Sequence, residues 1–324
     1  MIYRLLRWIS GIAIHWFYRD IRVTNRNAIP DRGPLLIAVN HQNALVDSLM
    51  IGWIVQRRVT MTAKATLTKN PLVALLFRTL HVVPLRRASD EISNADINVP
   101  DRSRNSEAFS EILDVLENDG AVLIFPEGKS HNESRLEPLK TGLARLALEA
   151  RDGRRISGVR LLPIGLVFED KGAPGSVAAV NVGDAVEMDS WSGYDSSDLT
   201  TEVANRLKSV SEWCEIPDRD DSRPESGKGA LTSLFIRIAA GWGRLTHELP
   251  IRLARRIALR QSRDPDQPAM RTIVLGTGLV LLTYAASFAL VDLIVHSFWL
   301  SALAVTSLGV GAYWAAFEGH ARKR

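Results

Sequence analysis

Apolar and polar positions along the chain fall into two regimes. Up to about residue 215, short apolar, often β-branched runs alternate with stretches of helical period. The runs cover residues 21–24, 35–39, 59–63, 81–85, 121–125, 160–168 and 177–182, and their length and composition predict strands. Helical patterns cover residues 45–56, 71–79, 104–118, 141–151 and 199–214. Strands alternating with helices predict an α/β fold with a mixed central sheet flanked by helices. The second regime is almost unbroken apolar sequence. Residues 273–295 contain one charge, Asp292, and residues 297–317 contain none. About 20 apolar residues cross a bilayer core as a helix, so the pattern predicts a C-terminal transmembrane helical hairpin turning at His296 and Ser297. Small residues in its second arm (Ser301, Ala302, Ala304, Gly309, Gly311, Ala312) suit close helix contact.

Residues 1–18 are also apolar, but Arg4 and Arg7 interrupt them. Such a segment predicts an interfacial amphipathic helix rather than a span, with Trp8, Trp16 and Tyr18 at headgroup level. Residues 218–228 are polar with Pro and Gly, which is the composition of a linker. The basic amphipathic stretch that follows, 231–263, is expected to lie on an anionic leaflet or to pack as a helix on the body. The expected organisation is a membrane-associated helix (1–20), a catalytic domain (21–215), a linker (216–230), a basic amphipathic region (231–271), then the hairpin and a basic tail (272–324).

Composition sharpens this picture. The 324 residues are 46% hydrophobic and 23% charged, and mean hydropathy is close to zero. That mean is the average of a charged body and an almost uncharged hairpin. Forty Lys and Arg against 36 Asp and Glu leave +4, too little to imply nucleic acid. One cysteine, Cys214, cannot form an internal disulfide, which fits a reducing compartment or a membrane setting. Arg252, Arg255, Arg256, Arg260, Arg263 and Arg271 precede the hairpin, and Arg322, Lys323 and Arg324 follow it. Its tip has no Lys or Arg. The expected location is therefore a membrane, of the bacterial inner-membrane kind, with the body and both termini cytoplasmic.

Two strand ends carry candidate chemistry. Residues 35–39 run into Asn40-His41, and Asp47 follows six residues after His41. On a regular helix six positions place side chains about 120° apart, so His41 and Asp47 meet only if the chain turns between them. A carboxylate on one ring nitrogen fixes the tautomer and leaves the other as a base. A capping Asn beside an unrelated His fits the same spacing. Residues 121–125 run into Pro126-Glu127-Gly128-Lys129-Ser130-His131. Pro126 and Gly128 hold a carboxylate at the strand end, and Gly128 lets the backbone approach a ligand. Alone, this is also an ordinary turn.

Together the two segments resemble the phospholipid/glycerol acyltransferase superfamily, the glycerol-3-phosphate and lysophosphatidate acyltransferases. The resemblance extends over roughly residues 34–183. It includes Val82-Val83-Pro84-Leu85-Arg86-Arg87 between the two motifs, Leu139-Lys140-Thr141-Gly142 after the second, and Leu161-Leu162-Pro163-Ile164-Gly165-Leu166. Five residues separate His41 from Asp47, where the commonest family spacing has four. This is similar to the branch with fungal-type glycerol-3-phosphate and dihydroxyacetone-phosphate acyltransferases, as is the hairpin. A turn or bulge must absorb the extra residue.

The resemblance implies acyl transfer from a thioester, acyl-CoA or an acyl carrier protein, to a hydroxyl of glycerol 3-phosphate or lysophosphatidate, with no cofactor and no metal. It makes His41 the general base and Asp47 its orienting partner. Arg86 is the first candidate for the acceptor phosphate, because its planar fork suits phosphate oxygens; Lys140 and Arg87 follow. Pro126, Glu127, Gly128 and Ser130 complete the expected substrate site, with Glu127 on a glycerol hydroxyl or anchoring Arg86. Amides near Asn43 or Gly128 are candidates for the oxyanion. Expected partners are the acyl donor, the acceptor and the bilayer. Two other classes share parts of the pattern: a non-catalytic membrane-associated lipid-binding protein, and a metal-dependent hydrolase using His41, Asp47, Glu127 and His131, which lack tight ligand spacing. Other lysophospholipids and dihydroxyacetone phosphate are further acceptors.

Overall fold

The computed structural model describes residues 2–86, 105–133, 135–212, 216, 230–262 and 267–318. The expected linker (apart from Ile216 and Ala230, the first residue of the following helix), Arg87, Cys214 and the basic tail lie outside the described residues.

Helix α1 (Ile2–Phe17) is followed by β1 (Asp20–Thr24) and β2 (Leu35–Val39). Then come α2 (Leu45–Ile54), β3 (Val59–Lys64), α3 (Pro71–Leu80) and β4 (Val83–Leu85). After these the chain forms α4 (Ser106–Glu117), β5 (Ala121–Ile124), α5 (Gly142–Leu148), β6 (Arg160–Phe168), β7 (Val177–Val182), β8 (Val186–Glu187) and α6 (Ser196–Ser211). The sheet order is β1-β7-β6-β2-β5-β3-β4, with β8 on β6. All pairings are parallel except β6 with β7 and β6 with β8, so the sheet is mixed, as expected. β2 is central and every one of its residues is buried. Its unbroken apolar run follows from cover on both faces. Leu35, Ile37 and Val39 pack with α1 and α2 through Ile14, Phe17, Met50 and Ile51. Leu36 and Ala38 pack on the other side with Ile112, Leu116, Leu146 and Leu199.

Element boundaries move from the expected ones where capping decides them. β4 starts at Val83, not 81, because α3 closes with a left-handed residue. His81 has φ 55°, and the Val82 amide donates to the Phe77 carbonyl at 2.9 Å, which is a Schellman-type closure. α6 starts three residues early because Asp195 caps it, accepting the Ser197 amide at 2.8 Å. The two-residue strand β8 was not foreseen.

Three long helices follow: α7 (Ala230–Gln261), α8 (Gln267–Val295) and α9 (Phe298–Glu318). Pro268–Val295 and Phe298–Ala316 are long and apolar enough to cross a membrane. They turn through His296, at φ 50°. α7 packs along both, while most of the apolar surface of the pair stays exposed. A Cβ on Gly243 of α7 would lie 2.0 Å from the Gly311 carbonyl oxygen of α9; only glycine permits this approach. His247 Nε2 accepts the Tyr284 hydroxyl at 2.8 Å, consistent with Nδ1 donating to the Gly243 carbonyl. The start of α8 enters the main core: Ala269 and Ile273 cluster with Ile14, Phe17 and Tyr18.

α1 is likewise built into the body. Gly11 leaves room for Trp53 of α2, whose ring would lie 2.6 Å from an added Cβ. Arg7 donates to the carbonyls of Trp53 at 3.0 Å and Gln56 at 3.2 Å. It thus caps the C-terminal end of α2, where a cation is favourable.

Candidate active site

β2, β5, β3 and β4 run parallel, so their carboxyl ends share one edge, where α/β sheets bind ligands. His41 follows β2 and Glu127 follows β5, its immediate neighbour. The chain after β2 turns through Asn43 and Ala44 into α2, and this brings Asp47 back to the ring. His41 Nδ1 and Asp47 Oδ2 are 2.9 Å apart. The Asn43 amide donates to the same Oδ2 at 2.8 Å. Asp47 is fully buried, while the His41 side chain keeps 11% of its surface exposed. With Nδ1–H held by the carboxylate, Nε2 is the free lone pair; it has no protein partner among the described residues. Phe125 stacks on the imidazole with centroids 3.9 Å apart and planes at 14°, which fixes the ring plane.

The turn between His41 and Asp47 bends at Ala44. Its backbone sits at φ 46°, ψ −127°, a region L-residues rarely occupy. Ser130 braces it, its Oγ accepting the Ala44 amide at 3.1 Å. Ser130 therefore holds the base-bearing turn.

Glu127 is buried and uses both oxygens within the protein. Oε1 accepts the His41 amide at 2.7 Å, and Oε2 accepts the Glu137 amide at 2.8 Å and pairs with His131 Nε2. The carboxylate ties the β5 turn to the base-bearing turn; Arg86 is not among its partners. The His131 amide donates to the His41 carbonyl at 3.1 Å, a second tie between the same turns. Of the amides near the two positions expected for the oxyanion, that of Asn43 donates to Asp47 and that of Gly128 to the Phe125 carbonyl at 3.0 Å.

Gly128, at φ 79°, makes the tight turn after Pro126 that its position in the sequence suggested. The Pro126 carbonyl accepts the Lys140 amide at 2.8 Å, so Lys140 lies against this turn with its side chain exposed. Arg86 ends β4 at the same sheet edge. It is exposed, and its backbone is clamped by Asn105 through two hydrogen bonds of 2.9 and 3.0 Å. β4 lies three strands from β2, about 14 Å at ordinary strand spacing.

Several supporting residues have roles the sequence did not assign: Asn40 was expected only as a turn or cap residue, and Tyr18, expected at headgroup level, is instead fully buried beside the β2 turn. Asn40 extends the β2–β6 ladder, donating to the Leu166 carbonyl at 2.9 Å and accepting its amide at 2.7 Å. Lys171 donates to the carbonyls of Gln42 at 2.8 Å and His131 at 3.1 Å. Tyr18 accepts from Asn43 Nδ2 at 2.7 Å and donates to the Lys171 carbonyl at 3.0 Å. Burial first, then the Asp47 charge, pushes its phenol well above the ordinary tyrosine value, so it stays a neutral donor. Asn40 could have been found from its place beside His41 at a strand end. Lys171 and Tyr18 carry no such signal, because tertiary folding alone brings them to the turn.

Residues 20–167, a little under half of the chain, match the family model described as Acyltransferase. A solved structure, the 1-acyl-sn-glycerophosphate (LPA) acyltransferase PlsC from Thermotoga maritima, shares the fold. Its TM-score is 0.50 at 20% identity, covering 65% of this chain and 79% of that one. Glycerol-3-phosphate O-acyltransferase 2 of Saccharomyces cerevisiae is 35% identical over 124 residues, which is 36% of this chain and 16% of the yeast protein. Glycerol-3-phosphate O-acyltransferase 1 of the same yeast is 22% identical over 265 residues, 58% of this chain and 35% of that protein. The chain thus spans about a third or less of the length of these curated relatives.

Proposed function

We propose that the protein transfers a fatty acyl group from a thioester, acyl-CoA or acyl carrier protein, to a hydroxyl of glycerol 3-phosphate. The observation that carries this reading is the His41–Asp47 pair, with Nδ1 held by a buried carboxylate and Nε2 unpartnered. An alcohol is a weak nucleophile at neutral pH until a base takes its proton. Nε2 accepts the hydroxyl proton as the oxygen attacks the thioester carbonyl. Asp47 stabilises the imidazolium that forms. The tetrahedral intermediate collapses, the C–S bond breaks, and the imidazolium proton goes to the departing thiolate. The products are an ester and a free thiol. No acyl-enzyme is required, and the thioester supplies its own activation.

Arg86 and Lys140 are the cations proposed for the acceptor phosphate. Pro126, Glu127, Gly128 and Ser130 shape the site by holding its two turns together. The five-residue gap and the names of the yeast relatives favour glycerol 3-phosphate. The likeness in fold to PlsC, an LPA acyltransferase, supports lysophosphatidate as the second reading. Helices α8 and α9 are proposed to anchor the enzyme in a membrane, with the body on the side of the arginine-rich approach.

The test is an assay of purified membranes with a long-chain acyl-CoA and either acceptor. Faster turnover of glycerol 3-phosphate supports the first reading, and faster turnover of lysophosphatidate replaces it with the second. His41→Ala is expected to lower kcat by about 10²–10⁴-fold with the fold intact by circular dichroism. Full activity in that variant would overturn the mechanism.

A further inference from the structure

Helices α1, α7, α8 and α9 enclose an apolar cavity of ≈510 Å³, within the range of small-ligand sites. Its walls include Ile12, Trp16, Ile273, Val280 and Tyr284, and α7 adds Arg252, Arg255 and Arg256. Neither His41 nor Asp47 lines it. On α8 the lining runs from Thr272 to Tyr284, about 18 Å along the axis. Half of a bilayer hydrocarbon core is about 15 Å. The cavity therefore has the depth of one leaflet.

The arginines lie at its shallow end. Ala254 of α7 faces Gly276 near the start of α8, with 3.7 Å from an added Cβ to the Ala254 methyl. The next residue, Arg255, reaches over the Phe17 ring at 6.0 Å. Its Nη1 is buried and makes no hydrogen bond. Asp170 is the acidic group that acts on it, and Glu248 pairs with Arg252. Arg255 as a whole is half-buried, but a buried guanidinium nitrogen without an acceptor is costly, and an anion at the mouth of the cavity removes that cost.

We propose that this cavity holds one anionic glycerophospholipid of the surrounding leaflet. Its phosphate sits on Arg255 with Arg256 beside it, and one acyl chain lies along α8 from Ile273 to Tyr284. Charge and depth together select this occupant: a free phosphate leaves the apolar walls unfilled, and a neutral chain leaves the Arg255 Nη1 without an acceptor. The inference rests on the reading that α8 and α9 lie in a bilayer.

The test uses the full chain in phosphatidylcholine vesicles containing a trace of photoactivatable phosphatidylglycerol or photoactivatable phosphatidylcholine, each with a diazirine in one acyl chain. Labelled positions are mapped by peptide mass spectrometry. The phosphatidylglycerol probe is expected to mark Ile12, Ile273 and Val280 about tenfold more than the phosphatidylcholine probe does. Arg255→Gln should erase that preference, Arg255→Lys should retain most of it, and Gly276→Leu, which fills the cavity, should abolish labelling inside it. Equal labelling by both probes, or a preference that survives Arg255→Gln, overturns the proposal. Leu282 and Leu290 on the exposed side of α8 report the bilayer itself. If they are labelled while the cavity is not, the lipid site fails and the membrane reading stands. If neither is labelled, both fail.

Discussion

Asp47 receives two hydrogen bonds on Oδ2, one from the imidazole and one from the Asn43 amide, so the base and the turn that carries it are aligned by one atom. That pairing was legible only as a spacing. Six residues along a regular helix do not bring two side chains together; the turn at Ala44 does, and an alanine gives no sign that it will adopt φ 46°. The position is strained by about 1–3 kcal/mol. Ala44→Gly should relieve part of this and raise the unfolding midpoint by a few degrees, less the entropy cost of glycine, about 0.5–1 kcal/mol. A lower midpoint in a thermal melt would show that the backbone there is relaxed. Arg86 was legible from its motif, but its distance from the base was not, since strand order is not written in local pattern. If Arg86 grips the acceptor phosphate, Arg86→Ala should raise KM for glycerol 3-phosphate about tenfold or more, as expected for losing a charged hydrogen bond, with KM for acyl-CoA unchanged. Steady-state kinetics with each substrate varied in turn measure this, and an unchanged acceptor KM removes Arg86 from that role.

Among elements, the strands and helices of the body follow the hydrophobic pattern closely, and the departures arise at caps. His81 and Asp195 move boundaries by a few residues because a left-handed residue or a side-chain cap ends or begins a helix independently of apolar period. The packing of α7 is less legible. Its basic, amphipathic sequence fits a leaflet surface or a protein surface equally well, and a close crossing of two glycines decides between them. Gly243→Leu should force α7 from α9 and destabilise the solubilised protein by at least about 1–3 kcal/mol, the usual cost of overpacking. Gly241 is the internal control, because a Cβ there meets nothing within 4 Å. Thermal melts of Gly243→Leu and Gly241→Leu should therefore differ, and equal midpoints would show that α7 and α9 do not cross there.

For the whole molecule, the division into a charged body and an apolar hairpin describes composition better than it describes packing. Ala269 and Ile273 are buried in the same cluster as Ile14, Phe17 and the central strand. Ending the chain after residue 262 removes both, and full burial of an Ile is worth about 1.5–3 kcal/mol. The shortened protein should bind a hydrophobic dye and scatter light in detergent-free buffer, where a merely tethered body would remain monodisperse and fully active. The same cluster has a consequence for biosynthesis. Phe17 leaves the ribosome 256 residues before Ile273. At about 5–20 residues per second, the side of the first helix that packs on α8 waits roughly 13 to 50 seconds for its partner, while α2 covers another side far sooner. That exposed apolar face must be sheltered over that interval by a chaperone or by the lipid surface itself, so the order of synthesis favours early delivery of the nascent chain to the membrane.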